Sequence, residues 1–331
     1  MPSIIRFHQL GGPEVLQIED IPLQQPAKGE VRLRVQAAGL NRAEALFTRG
    51  QYLEQPKLPA RIGYEVAGVV DAIGEGVDQS WLGKQVATIP AFSMNQYGTL
   101  GEQAVVPANA LTEYPSNLTP EQATAAWMQY LTAYGALVYY GQVGAGDFVS
   151  IPAASSSVGL AAIQIARDAG ATAIAVTRRS SKREELIELG AHHVIASEEE
   201  EDYVARVKEI TKGKGVRITF DPVAGPFVQK LAAGAAQNGV IFIYGGLSMQ
   251  PTPFPLFESF RNAVSLRAYS VREITTVRER LNVAKKYVYD RLANGRFVPK
   301  IARTFAYKDT IEAYRYLESN QQVGKVVITV P

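Results

Sequence analysis

The chain has 331 residues, a formal net charge of +2 and no cysteine. That length suggests about two domains, and 47% hydrophobic with 20% charged residues is ordinary for a soluble globular chain. The near-neutral charge gives no case for general nucleic-acid binding, no apolar run reaches the length of a membrane span, and disulfides are excluded, so a cytosolic protein is expected.

Residues 1 to about 122 read as a compact β-rich domain. Val31-Arg32-Leu33-Arg34-Val35 alternates apolar and polar residues, as a half-buried strand does. Val66-Ala67-Gly68-Val69-Val70 is more continuously apolar and suits a strand covered on both faces. Turn signals such as Gly11-Gly12-Pro13, Pro26-Ala27-Lys28-Gly29 and Gly74-Glu75-Gly76 separate such runs.

The pattern changes near residue 123. A strand at Phe148 to Ile151 leads through a turn, Ala153 to Ser157, into a helix from Val158 to Ala169. A second strand at Thr172 to Val176 is followed by a helix around Arg183 to Leu189. Further strands are predicted at Val194-Ile195, Val216 to Phe220, Val240 to Tyr244 and Ser265 to Tyr269, with helical stretches between them. Strands alternating with helices imply a doubly wound parallel sheet, so the fold class is α/β. Ser197-Glu198-Glu199-Glu200-Glu201 reads as a helix start with a capping box. The tail predicts a long amphipathic helix from Thr276 to Ala293, a helix from Thr310 to Ser319 and a last strand from Lys325 to Val330.

The turn Ala153-Ala154-Ser155-Ser156-Ser157-Val158-Gly159 stands where a dinucleotide-binding chain carries Gly-x-Gly-x-x-Gly. Only the last glycine is kept, as Gly159. The serines cap a helix, and their hydroxyls can join the N–H groups at its N-terminus in binding phosphate. The end of the second strand is more telling. An NAD-selective site places a carboxylate there, for the ribose hydroxyls. This chain has Thr177-Arg178-Arg179-Ser180-Ser181-Lys182 instead. Three cations and no acid suit a 2′-phosphate, so NADPH is the expected cofactor. Gly245 and Gly246, with Leu247, end another strand where backbone can approach the nicotinamide half.

Several stretches together resemble the zinc-free quinone oxidoreductase branch, zeta-crystallin-like, of the medium-chain dehydrogenase/reductase superfamily. They are Ala37 to Glu44, Gly50-Gln51-Tyr52, Gly63 to Val70, Thr132-Ala133-Tyr134, Val158 to Ala166 and Gly324-Lys325-Val326-Val327, in order across essentially the whole chain. The resemblance implies a discontinuous GroES-like catalytic domain, residues 1–122 with 273–331, around a Rossmann domain of residues 123–272. It places Asn41, Tyr64 and Met128 where zinc relatives carry Cys, His and Cys, so no metal is expected. It extends the expected cofactor contacts to Thr132, Tyr269 and Lys325. Ser197 departs from the branch, where many relatives carry a tyrosine.

Without a metal to stabilise alkoxide, the accessible acceptors are already electrophilic: quinones and alkenes conjugated to a carbonyl. Such chemistry needs one or two donors near the oxygen where charge develops. By resemblance Tyr52 is the first candidate, Asn41 a second whose amide faces nicotinamide or substrate oxygen, and Tyr64 lines the pocket. The readings are therefore an NADPH-dependent quinone or enone reductase, an enoyl-thioester reductase, or a non-catalytic NADPH-binding sensor. The resemblance also implies a homodimer joined along the strand Ser265 to Val271.

Overall fold

The structure, a computed structural model, describes residues 1–199 and 202–331. It divides into two compact units, residues 1–128 with 299–331 and residues 129–298.

In the first unit the strand Glu30–Gly39 is the centre of a seven-stranded sheet. It pairs antiparallel with Glu65–Ile73, Gln103–Pro107 and Lys325–Thr329. Its alternation has a direct consequence: Val31, Leu33 and Val35 are buried, whereas Arg34 is exposed. Arg32 is also buried, and there its Nε donates to Asp71 Oδ1 at 2.8 Å. Val66 and Ala67 are both at 0% exposure, so the continuous apolar run is covered on both faces. A Cβ on Gly68 would lie 2.1 Å from the Arg34 carbonyl oxygen, so this close pairing requires glycine. A three-stranded sheet, Gln17–Asp20, Ser3–Phe7 and Ala60–Arg61, completes the β structure.

The second unit is a six-stranded parallel sheet in the order His193–Ala196, Thr172–Thr177, Phe148–Pro152, Val216–Asp221, Ala235–Ile243, Ser265–Ala268. The first strand in sequence lies inside and later strands are added on either side, which is the doubly wound arrangement. One face buries Ile174, Val176, Tyr203, Val207, Leu231 and Ile241 in a shared apolar cluster.

This unit runs to Val298, beyond the expected limit at residue 272, because the tail helix packs within it. Helix Arg278–Ala293 places the Tyr287 ring 4.9 Å from that of Tyr134, and Arg291 Nε 2.5 Å from Asp168 Oδ2. The Val298 N–H then donates to Gln164 Oε1 at 2.9 Å. The helix expected to start at Ser197 instead begins at Tyr203, where the Asp202 carboxylate accepts the Val204 N–H. Ser197 is engaged elsewhere, since its N–H donates to the Thr177 carbonyl at 2.8 Å; Glu200 and Glu201 of that capping reading lie outside the described residues. Among the described residues no helix is long and apolar enough to cross a membrane.

Candidate active site

In the second unit, strand Phe148–Pro152 turns through Ala153, at φ 50°, into helix Ser157–Asp168. Ser156 caps that helix, its Oγ accepting the Gly159 N–H at 3.0 Å. A Cβ on Gly159 would lie 2.6 Å from the Ala154 carbonyl oxygen, so the glycine that the turn retains is one its backbone needs. Val158 and Ser157 form the first helical turn beside it. Ser156→Ala is expected to cost about 1 kcal/mol of stability, read from urea denaturation.

Lys182 reaches back from beyond the second strand to this turn, its Nζ donating to Ser155 Oγ at 3.0 Å. Burial, with Arg178 nearby, lowers the pKa of that ammonium. Thr177 is half-buried at the strand end, and Arg178, Arg179 and Ser180 are exposed. The expected basic end therefore forms one surface with the serine turn. A helix N-terminus of twelve residues, an ammonium beside its hydroxyls and two exposed guanidiniums fit a phosphorylated dinucleotide.

Two strands further on, Gly245 packs tightly, since a Cβ there would lie 2.8 Å from the Pro222 carbonyl oxygen. Gly246 faces open space, and Leu247 is 39% exposed. Sequence reasoning missed the group behind them, Asp221, although an Asp-Pro pair ending a strand is a turn signal. Its carboxylate is wholly buried and accepts the Val223 and Ala224 N–H groups at 2.8 and 3.0 Å. Burial pushes its pKa up to about 6, against those two hydrogen bonds. A raised carboxyl pKa favours the folded state while the group is protonated, and that contribution is lost as pH rises from about 4 through about 6. Asp221→Asn should therefore gain thermal stability relative to the parent as pH rises across this window; a constant difference in Tm would exclude the shift.

Two residues expected to contact the cofactor are buried. Tyr269 is buried between Tyr140 and Phe242, ring centroids 6.2 and 6.3 Å away, and a Cβ on Gly135 would lie 2.0 Å from its hydroxyl oxygen. Lys325, in the first unit, is 1% exposed, and its ammonium donates to Asn41 Oδ1 at 2.7 Å and Glu65 Oε2 at 2.5 Å. Thr132 is buried on helix Trp127–Tyr134.

The first unit gathers the other polar candidates. Asn41 Nδ2 lies 3.1 Å from the Gly39 carbonyl oxygen and 3.2 Å from Glu65 Oε2. Both hydrogens of its amide thus have acceptors within the unit. Glu44 Oε2 accepts the Asn41 N–H at 3.0 Å and the Tyr314 hydroxyl at 2.7 Å, while Oε1 accepts the Tyr64 N–H at 3.1 Å. Burial raises the Glu44 carboxyl above its ordinary range, against these bonds and the field of Lys325. Glu65 Oε1 accepts the Met128 N–H at 2.6 Å.

Beside this network runs an aromatic wall. The Tyr64 ring lies 6.4 Å from Tyr52 and 5.7 Å from Phe92. Tyr64 is buried and its hydroxyl donates to Glu54 Oε1 at 3.4 Å, whereas Tyr52 is half-buried. Glu54 also bonds Ser93 and Asn95, and neither it nor Phe92 carried a sequence signal. Among the described residues no group of three or more His, Cys, Asp or Glu is placed to hold a metal ion.

A β-rich unit and a doubly wound parallel unit with a serine-capped strand-to-helix turn are the architecture of a two-domain dehydrogenase/reductase. The family model described as alcohol dehydrogenase GroES-like domain matches residues 27–116, and the one described as zinc-binding dehydrogenase matches residues 157–286. Quinone oxidoreductase from Salmonella typhimurium is 30% identical over 331 residues, 99% of each chain. 2-haloacrylate reductase from a Burkholderia species is 28% identical, with 97% of each chain covered. The crystal structure of Escherichia coli quinone oxidoreductase complexed with NADPH superimposes with a TM-score of 0.89 at 29% identity, again over 99% of each chain. The chain belongs to the quinone oxidoreductase family of the medium-chain dehydrogenase/reductases.

Proposed function

We propose that the protein is an NADPH-dependent reductase of quinones or α,β-unsaturated carbonyl compounds. The observation that carries this reading is the surface formed by the serine turn, Lys182 and the exposed Arg178 and Arg179. It offers cations and hydroxyls, with no acid between Thr177 and Arg183. The relatives point the same way: one is a quinone oxidoreductase whose solved structure holds NADPH, and another acts on 2-haloacrylate, an alkene conjugated to a carboxylate.

Bound NADPH supplies hydride from its nicotinamide, and the residues here bind and orient it. Ser155, Ser156, Ser157, Val158 and Gly159 present the helix N-terminus to the pyrophosphate, with Lys182 alongside. Thr177, Arg178, Arg179 and Ser180 take the 2′-phosphate side, and Gly245, Gly246 and Leu247 the nicotinamide side. Tyr52 serves as donor to the acceptor oxygen: its ring is half-buried and stands 6.4 Å from that of Tyr64 in the aromatic wall. Tyr64 and Phe92 wall the pocket.

The test follows NADPH absorbance with a panel of quinones and enones. Oxidation is expected; tight NADPH binding with no oxidation across the panel would identify a sensor instead. Tyr52→Phe should lower kcat roughly hundredfold while leaving the Kd for NADPH unchanged. Unchanged turnover removes Tyr52 from the mechanism.

The second unit also offers a pairing edge. Strand Ser265–Ala268 ends the sheet, and the nearby Phe254, Phe257 and Phe260 are 60%, 74% and 75% exposed. This supports a homodimer joined there. Sedimentation of Phe257→Asp/Phe260→Asp should show a monomer where the parent is a dimer.

A further inference from the structure

The buried cluster of the first unit is costly by the standards of a folded core. Glu44, Lys325, Glu65 and Asn41 are 0%, 1%, 2% and 8% exposed. A buried ion pair contributes little that packed apolar side chains of similar volume would not, and often less. The chain accommodates this one at further expense, because a Cβ on Gly39 would lie 2.7 Å from Lys325 Cε. Stability alone gives no reason for the ammonium.

Its contacts give one. Lys325 comes from the last strand and meets Glu65 across 260 residues of sequence and Asn41 across 284. Asn41 caps the helix Arg42–Thr48 that follows the central strand, Glu65 follows Tyr64 at the start of another strand, and the second oxygen of Glu65 holds the Met128 N–H. Removing the ammonium would take from Asn41 Oδ1 its donor and from Glu65 its counter-charge at once. The amide then keeps only its Nδ2 contacts, and the carboxylate beside Tyr64 only its bonds from the Met128 N–H and the Asn41 amide, so both are held less tightly.

We infer that Lys325 is a positioning residue: paired with Glu65, it fixes the Asn41 amide, the Met128 backbone and the strand start next to Tyr64, whose ring walls the proposed acceptor pocket, and it touches neither cofactor nor acceptor itself. This rests on the reductase reading above. It replaces the direct cofactor contact that the resemblance implies for Lys325. Positioning of this kind acts on the rate, since small misplacements of groups around a reacting pair are costly.

The experiment uses the full chain and three variants. Lys325→Met alone leaves Glu65 buried and unpaired and should lower Tm. Lys325→Met/Glu65→Gln removes both charges while keeping similar volumes and should recover most of that loss. Its kcat should nevertheless stay about tenfold or more below the parent, with the Kd for NADPH within about threefold. Lys325→Arg, which keeps charge and donors, should lie between. Three results overturn the inference: a double variant that regains the parent's kcat, a loss confined to the Kd for NADPH, or a double variant that does not fold, which marks the pair as structural. A parent that binds no NADPH sinks the reductase reading instead, and does so before any variant is compared.

Discussion

Replacing Arg178 and Arg179 together by alanine is expected to weaken NADPH binding by tenfold or more while leaving NADH binding nearly unchanged. A hydrogen bond to a charged group contributes about 1.5–3 kcal/mol, and about 1.4 kcal/mol is a factor of ten in Kd. Both arginines are exposed at the end of strand Thr172–Thr177, so truncation removes no packing. The backbone between them and the next strand is also tied down, because the Glu198 N–H donates to the Arg178 carbonyl at 3.0 Å. The loss should thus be specific to the phosphate that distinguishes the two cofactors. Fluorescence titration with each cofactor reads it, and an equal loss for both would show that the arginines serve general folding or charge rather than the 2′-phosphate. Added salt should shrink the difference between parent and variant, since exposed charges are screened.

Gly39→Ala is expected to damage the first unit severely for the addition of one methyl group. That carbon would lie 2.1 Å from the Thr124 carbonyl oxygen and 2.9 Å from Thr124 Oγ1, as well as against Lys325. Backbone cannot swing aside as a flexible side chain can. The Thr124 hydroxyl donates to the Glu65 carbonyl at 2.9 Å, so any shift passes into the buried network. Overpacking of this kind costs about 1–3 kcal/mol and sometimes more. The urea midpoint should fall and kcat should fall with it. Gly144→Ala is the control: a Cβ there meets nothing within 4 Å, and its stability should stay within about 0.5 kcal/mol of the parent.

Strand Ala235–Ile243 shows where a local pattern stops being readable. The sequence predicts it only from Val240, because Gln237 and Asn238 are polar and exposed. The strand in fact begins at Ala235, paired with Val216, and its register shifts before Val240 pairs with Ile218. Asn238, at φ 58°, absorbs the extra residues in a bulge. The strand extends back to Ala235 because Val216 on the neighbouring strand pairs with it, a partner that residues 235–239 do not announce.

The sequence by itself determined the α/β class, the doubly wound sheet, the serine turn and the basic strand end. These depend on residues a few positions apart, where periodicity, capping and turn chemistry act along the chain. Only the tertiary structure decided which groups Asn41, Tyr64, Tyr269 and Lys325 meet. Each is a polar side chain whose role depends on which partner reaches it first, and those partners come from elsewhere in the chain. Lys325 finds Glu65 and Asn41, Tyr64 finds Glu54, and Tyr269 settles against Gly135. Away from water, a donor or acceptor must take the nearest complementary group, and chain folding alone sets which one that is.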